Sequence, residues 1–228
     1  MTKKLAFFVE GQTERIFVQR LITEIAGEYH VKFDIYARSN GVVTFSSIEA
    51  PRGAKYAVLL FDCGSDGAVK SAIIDRWDRL SAAGYELVIG LRDLYPLPIA
   101  KAEETEAVLQ IGLPGGPPEA RIYLSVAEVE AWFLQERTHY VRVDSGLGLI
   151  DFRSNFAFDP ETDSAELVND PAQLLKQIYQ SVRKTYKKKR MHVQRTVDAL
   201  DYAELIYGCS DKIPRFGLLS ARLNDFFG

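Results

Sequence analysis

The sequence predicts an α/β protein: a mostly parallel central sheet flanked by helices, with a helical C-terminal extension. Two observations carry that prediction. Short apolar runs alternate with stretches of helical period, the pattern of strand–helix–strand units. The runs are continuous rather than alternating, as strands covered on both faces must be.

The strand candidates are "KLAFFVE" (4–10), "KFDIYAR" (32–38), "KYAVLLF" (55–61), "ELVIGLR" (86–92) and "ARIYLSV" (120–126). Between the first two, Phe17, Leu21 and Ile25 recur every four residues. Between the third and fourth, Val69, Ile73, Trp77 and Leu80 mark the apolar stripe of a second helix. "LPGGPPEA" (113–120) concentrates Gly and Pro and predicts a loop. Residues 141–170 are rich in turn formers and predict an irregular excursion. From Pro171, "PAQLLKQIYQSVRKTYKKKRMHVQRTVDAL" predicts one or two helices, with Pro near the start and a stripe of Leu174, Ile178 and Val182. "IPRFGLLSARLNDFFG" predicts a short docking helix at the end. The organisation expected is a core over 1–140 and an extension over 141–228 packed on it.

Composition narrows the function. The chain has 228 residues, 47% hydrophobic and 26% charged, the profile of a soluble globular protein able to bury its own core. A net charge of -3 makes no global case for nucleic acid, so any basic footprint is local. Two cysteines without a CxxC and three scattered histidines argue against a disulfide framework or a zinc site. The first apolar run meets Glu10 too early for a signal peptide, and no apolar stretch reaches membrane-spanning length. The expected location is the cytoplasm.

Open α/β sheets bind ligands at the carboxyl ends of their strands. Acids stand at those ends here. Glu10 closes the first strand and Glu14 follows four residues on. Asp62 and Asp66 flank Gly64 after the third, Asp93 closes the fourth, and Glu128 and Glu130 follow the fifth. Carboxylates buried together need compensation by a cation or solvent. Oxygen donors without His or Cys point to Mg2+ or Mn2+, and such ions handle phosphate. Each acid also has a plain structural reading. Glu14 suits a helix N-terminus, Ser125-Val-Ala-Glu128 fits a capping box, and Asp62 suits a turn. The combination of Glu10, Glu14 and Asp93 at parallel strand ends is the functional signal.

Two further stretches bear on phosphate binding. "GSDGAVKS" (64–71) lies where a P-loop would, but Val69 and not Gly precedes Lys70. "RKTYKKKR" (183–190) holds six basic residues around Tyr186. It is either a solvated helix face or a phosphate-contacting one, the latter using Lys184, Lys187, Lys188, Lys189 and Arg190.

"VEGQTE", "FDCGSDG", "GLRDLYP", "SVAEVEAWFL" and the stretch from Asp170 to Arg190, in this order, resemble a small Toprim-fold family related to the OLD-family nucleases and often encoded beside an ATPase. The resemblance covers nearly the whole chain. It implies a Toprim-like core in which Glu10 matches the Toprim glutamate, Glu14 the second acid of the E-G-x-x-E motif and Asp93 the first Asp of D-x-D. Glu128 or Glu130 would match the further acid of OLD-like nucleases. Where D-x-D has its second Asp, this chain has Tyr95. The resemblance thus implies a Mg2+-dependent nucleic-acid phosphodiesterase on DNA or RNA, the effector of an ATPase-gated phage-defence system, in a form that admits a homo-oligomer. Glu10, Glu14 and Asp93 would be catalytic and, with Glu128 and Glu130, metal-binding. Tyr95 favours the alternative, a catalytically weak or inactive regulatory subunit of an ATPase partner. A Mg2+ enzyme on a small phosphorylated substrate is a third reading, supported by the acids alone.

Overall fold

A computed structural model describes residues 2–27, 30–39, 42–50, 53–65 and 67–228. Asp66 lies outside the described residues. The chain forms two compact units. One comprises Met1–Asp93, Lys101–Leu124 and Leu223–Gly228; the other comprises Leu94–Ala100 and Ser125–Arg222.

The first unit is built on six strands: β1 (Lys3–Val9), β2 (Val31–Ser39), β3 (Val42–Ile48), β4 (Tyr56–Asp62), β5 (Leu87–Asp93) and β6 (Glu119–Ser125). Their order across the sheet is β3-β2-β4-β1-β5-β6. β1 runs parallel to β4 and β5, and β2 runs parallel to β4. The centre falls on β1 because Leu5–Val9 are apolar without interruption, and all five are fully buried.

Register shows how the faces are covered. Phe8 stands opposite both Phe61 and Gly90. A Cβ on Gly90 would stand 2.9 Å from Val69 of helix α2 (Ala68–Ala82), so this face lies under α2. Asp62, one residue past Phe61, turns to the other face. There Arg15 of helix α1 (Gln12–Ala26) reaches it, so α1 covers the second side. Helices on both faces are what continuous apolar strands demand. α3 (Ala102–Gln110) guards the β6 edge, where the Gln110 side-chain amide donates to the Ile122 carbonyl (2.7 Å) and accepts from its N–H (3.2 Å). At the chain end, Tyr56 Oη donates to the Phe227 carbonyl.

β3 was not foreseen. It pairs antiparallel with β2 and is exposed at every residue. Its sequence, VVTFSSI, buries no face and therefore shows neither period.

The second unit is helical: α4 (Glu130–Gln135), α5 (His139–Val143), α6 (Phe152–Phe156), α7 (Pro171–Ser181), α8 (Arg190–Ala199) and most of α9 (Pro214–Phe227). Its core contains Trp132 against Phe216 (5.1 Å between ring centroids) and Tyr179 against Tyr186 (6.1 Å). α7 begins as expected, with Pro171 in its first turn and the Asp170 side chain accepting from the Gln173 N–H (2.8 Å). Its buried stripe is Leu175, Ile178 and Tyr179, so Leu174 sits at the margin and Val182 lies past the helix end. The expected capping box is absent. α4 starts two residues after Glu128, with Val129 at the N-cap position and no side-chain cap. Among the described residues no helix is long and apolar enough to cross a membrane.

Candidate functional site

The carboxyl edge of the first unit's sheet gathers buried acids. Glu10 (7% exposed), Glu14 (5%), Asp62 (2%) and Asp93 (8%) all sit inside the fold, although none is apolar. Parallel pairing explains their convergence. β4, β1 and β5 are neighbours, with Val9 opposite both Asp62 and Leu91, so Asp62, Glu10 and Asp93 leave the sheet at one edge. Glu14 joins them from the first turn of α1, where the helix dipole favours a negative charge. Its Oε2 would stand 3.4 Å from a Cβ at Gly11, so the carboxylate lies over the β1–α1 turn at ordinary contact distance.

Two of these acids face guanidinium groups. Arg92 Nε lies 3.7 Å from Glu10 Oε1, and Arg15 Nε lies 3.9 Å from Asp62 Oδ2. These are ion-pair separations, longer than a hydrogen bond. Strand alternation sorts the residues within strands. Arg92 follows Gly90 onto the α2 side, and Asp62 and Asp93, the last residues of β4 and β5, turn to the α1 side with Arg15; Glu10 stands one residue past the end of β1, where strand alternation no longer assigns it a face. Burial raises the Asp62 pKa; the backbone N–H groups of Arg38 and Gly64 and the guanidiniums of Arg15 and Arg38 oppose that rise without cancelling it. The plain turn reading of Asp62 also holds locally, since its Oδ1 accepts from the Gly64 N–H at 3.0 Å. Cys63 beside it is no nucleophile. Burial, with Asp62 adding to it, pushes its thiol up to about 12.

Glu128 and Glu130 belong to the second unit and have partners there. Lys188 Nζ donates to Glu128 and lies 3.8 Å from Glu130 Oε2. Tyr186 Oη donates to Glu130 Oε1 at 2.8 Å. The basic run is therefore not a helix face. Residues 182–189 connect α7 to α8, and Tyr186 at its centre is buried as an anchor. Lys184 pairs with Asp144 (3.5 Å), while Lys187, Lys189 and Arg190 are exposed. Tyr95 is 60% exposed and its N–H donates to the Ala127 carbonyl, so it adds no acid to the edge.

Sequence reasoning missed the arginines. Arg15 and Arg92 directly follow and precede predicted acids, yet only the register shows which carboxylate each one meets.

The donor chemistry fits a hard divalent ion, being all carboxylate oxygen. Among the described residues no three His, Cys, Asp or Glu side chains form a group able to hold a metal. An ion held at this edge would therefore take at most two of these carboxylates and complete its shell with water and substrate phosphate.

Residues 9–215 match the family described as Domain of unknown function (DUF4276). Neither a curated protein nor a solved structure matches the chain.

Proposed function

The chain belongs to the DUF4276 family, and from its sheet edge we propose that it is a Mg2+- or Mn2+-dependent nucleic-acid phosphodiesterase of Toprim, OLD-like type. The observation that supports this is the set of four buried carboxylates at the carboxyl ends of three adjacent parallel strands and the helix between them. Arg92 and Arg15 already offset part of this buried charge, and a bound cation would add to that compensation.

In this reading Asp93 and Glu10 hold the ion, with Glu14 beside them. When bound, the ion polarises the scissile phosphate and lowers the pKa of the attacking water. Water adds to phosphorus, the P–O bond to one nucleotide breaks, and a phosphate and a hydroxyl result. Alternatively, Glu10 acts as general acid/base on the leaving oxygen in place of ligating the ion. Arg92, at ion-pair distance, restricts where the Glu10 carboxylate points. Lys187, Lys189 and Arg190, exposed in the second unit, are separate candidates for contact with a phosphate backbone. The resemblance in "VEGQTE" and "GLRDLYP" extends it to DNA or RNA as substrate and to a neighbouring-gene ATPase as the gating partner in phage defence.

The test is cleavage of supercoiled plasmid and of structured RNA by the purified protein with Mg2+ or Mn2+. Activity is expected, and Glu10→Gln and Asp93→Asn should each reduce it at least a hundredfold. Cleavage that survives both changes overturns the site.

A second reading has its own support. With Tyr95 in the D-x-D position and fewer than three carboxylates in any metal-holding group, the fold also suits a regulatory subunit that binds an ATPase without cutting. Absence of cleavage with either metal, together with a stable complex with the ATPase, selects it.

A further inference from the structure

The first unit has a second concave feature, on the α2 side of its sheet. Among the described residues, α2 makes its main sheet contacts with β5 and β1, and the same face continues beyond them toward β4 and β2. Alternation puts Asp34, Tyr36 and Arg38 on it from β2, and register sets Leu59 and Phe61 beside them. From α2, Arg76, Arg79 and Leu80 turn toward this strip, the i, i+3, i+4 spacing of one helix side. Tyr85, just past α2, closes one end. The result is a cleft of about 530 Å³. That lies within the ~300–1,000 Å³ range of small-ligand sites.

Its lining has two chemistries. Three guanidiniums, from Arg38, Arg76 and Arg79, meet one carboxylate, Asp34. That carboxylate is already served, by Lys32 Nζ at 3.9 Å and by the Ser47 hydroxyl at 2.8 Å. The cleft is therefore positive. It is also aromatic. The Arg76 guanidinium lies 4.2 Å from the centre of the Phe61 ring, and Tyr36 stands 5.7 Å from the same ring. Arg76 stacked over the buried Phe61 ring, with the half-buried Tyr36 ring beside it, matches a ligand with an anionic end and a planar end.

We propose that this cleft is a nucleotide-binding site, with the base against Tyr36 and Phe61 and the phosphate on Arg76 and Arg79. The same chemistry is offered by a free mononucleotide and by one nucleotide of a single strand. The site uses none of the edge carboxylates, so it stands independently of the phosphodiesterase reading.

Calorimetric titration in EDTA tests it, with adenosine monophosphate, inorganic phosphate and a 5′-phosphorylated oligothymidylate as probes. Saturable binding of a nucleotide probe, tighter than that of inorganic phosphate, is expected. Arg76→Gln/Arg79→Gln should weaken it at least tenfold. Tyr36→Leu should remove most of the advantage of the nucleotide over inorganic phosphate. Glu10→Gln should bind as wild type does, which keeps this result separate from the cleavage assay. Arg79 is exposed, so Arg79→Gln alone serves if the double variant melts early. Binding of the mononucleotide identifies a free nucleotide as occupant; binding of the oligonucleotide alone identifies a strand. Absence of binding by every probe, or equal binding by wild type and the arginine variants, overturns the proposal. So does a dimer that Arg79→Gln dissociates in a protein that binds no nucleotide, which would give the cleft to a second copy beside exposed β3.

Discussion

Acidification should destabilise the second unit through His139. The side chain is fully buried on α5. Its Nδ1–H donates to the Glu136 carbonyl, and its Nε2 accepts from Tyr179 Oη at 3.1 Å. The second bond requires an unprotonated Nε2, whereas the first survives protonation. The Glu136 carboxylate lies 3.8 Å from Nδ1 but is already engaged by the Thr138 N–H and hydroxyl, the Asp201 N–H and Arg142. Burial, with Arg142 adding to it, lowers the His139 pKa from 6.5 to about 3. Above pH 6.5 neither the folded nor the unfolded state holds the proton, so the residue adds no pH dependence. Below that the unfolded chain takes a proton that the fold refuses. Stability is then lost at up to about 1.4 kcal/mol per pH unit, an upper limit of about 3 kcal/mol by pH 4. Urea denaturation of wild type and His139→Gln at pH 7, 6, 5 and 4 reads this directly. Carboxylate titrations are common to both and cancel in the difference. Wild type should start ahead at pH 7 and lose its lead as pH falls. Parallel stability profiles across that range would refute the reasoning.

Three other outcomes follow from packing. Gly90→Ala places a Cβ 2.9 Å from both Ile122 and Val69 and should cost about 1–3 kcal/mol in a thermal or urea melt, the range of overpacked cores. Tyr186→Phe removes the hydroxyl that donates to buried Glu130 and should cost about 1–3 kcal/mol on the same assay, the range for a buried acceptor that loses its donor. Asp170→Ala removes the cap of α7; a loss of about 1 kcal/mol is expected, and Asp170→Asn should recover most of it.

Much of the sheet was legible because burial on both faces writes itself into sequence. β1, β4 and β5 lie within one residue of their predicted ends, and each is an apolar run that a solvent-facing strand would not carry. β3 was illegible for the same reason in reverse: with no buried side, Val42, Val43 and Phe45 are interrupted by Thr44, Ser46 and Ser47 in no period. The acids at the sheet edge followed from parallel topology alone, since strands that run together end together. Their counter-charges did not. Nothing in "TERIF" assigns Arg15 to Asp62, 47 positions away; that pairing needs α1 laid across β4. Likewise the basic run reads as a helix face until Tyr186 is seen turned inward to Glu130, which holds residues 182–189 as a connector. Ser125-Val-Ala-Glu128 fits a capping box by pattern, yet Ser125 ends β6 and α4 starts only at Glu130.

The central claim is that the acids at the carboxyl edge of β1 and β5 hold a divalent cation for phosphodiester chemistry. Calorimetric titration of Mn2+ into the chelator-treated protein tests it most directly, with Glu10→Gln and Asp93→Asn run beside wild type and folding checked by circular dichroism. The account predicts saturable binding by wild type that weakens at least tenfold in each folded variant. Absence of Mn2+ binding, or binding that both variants retain unchanged, would contradict it.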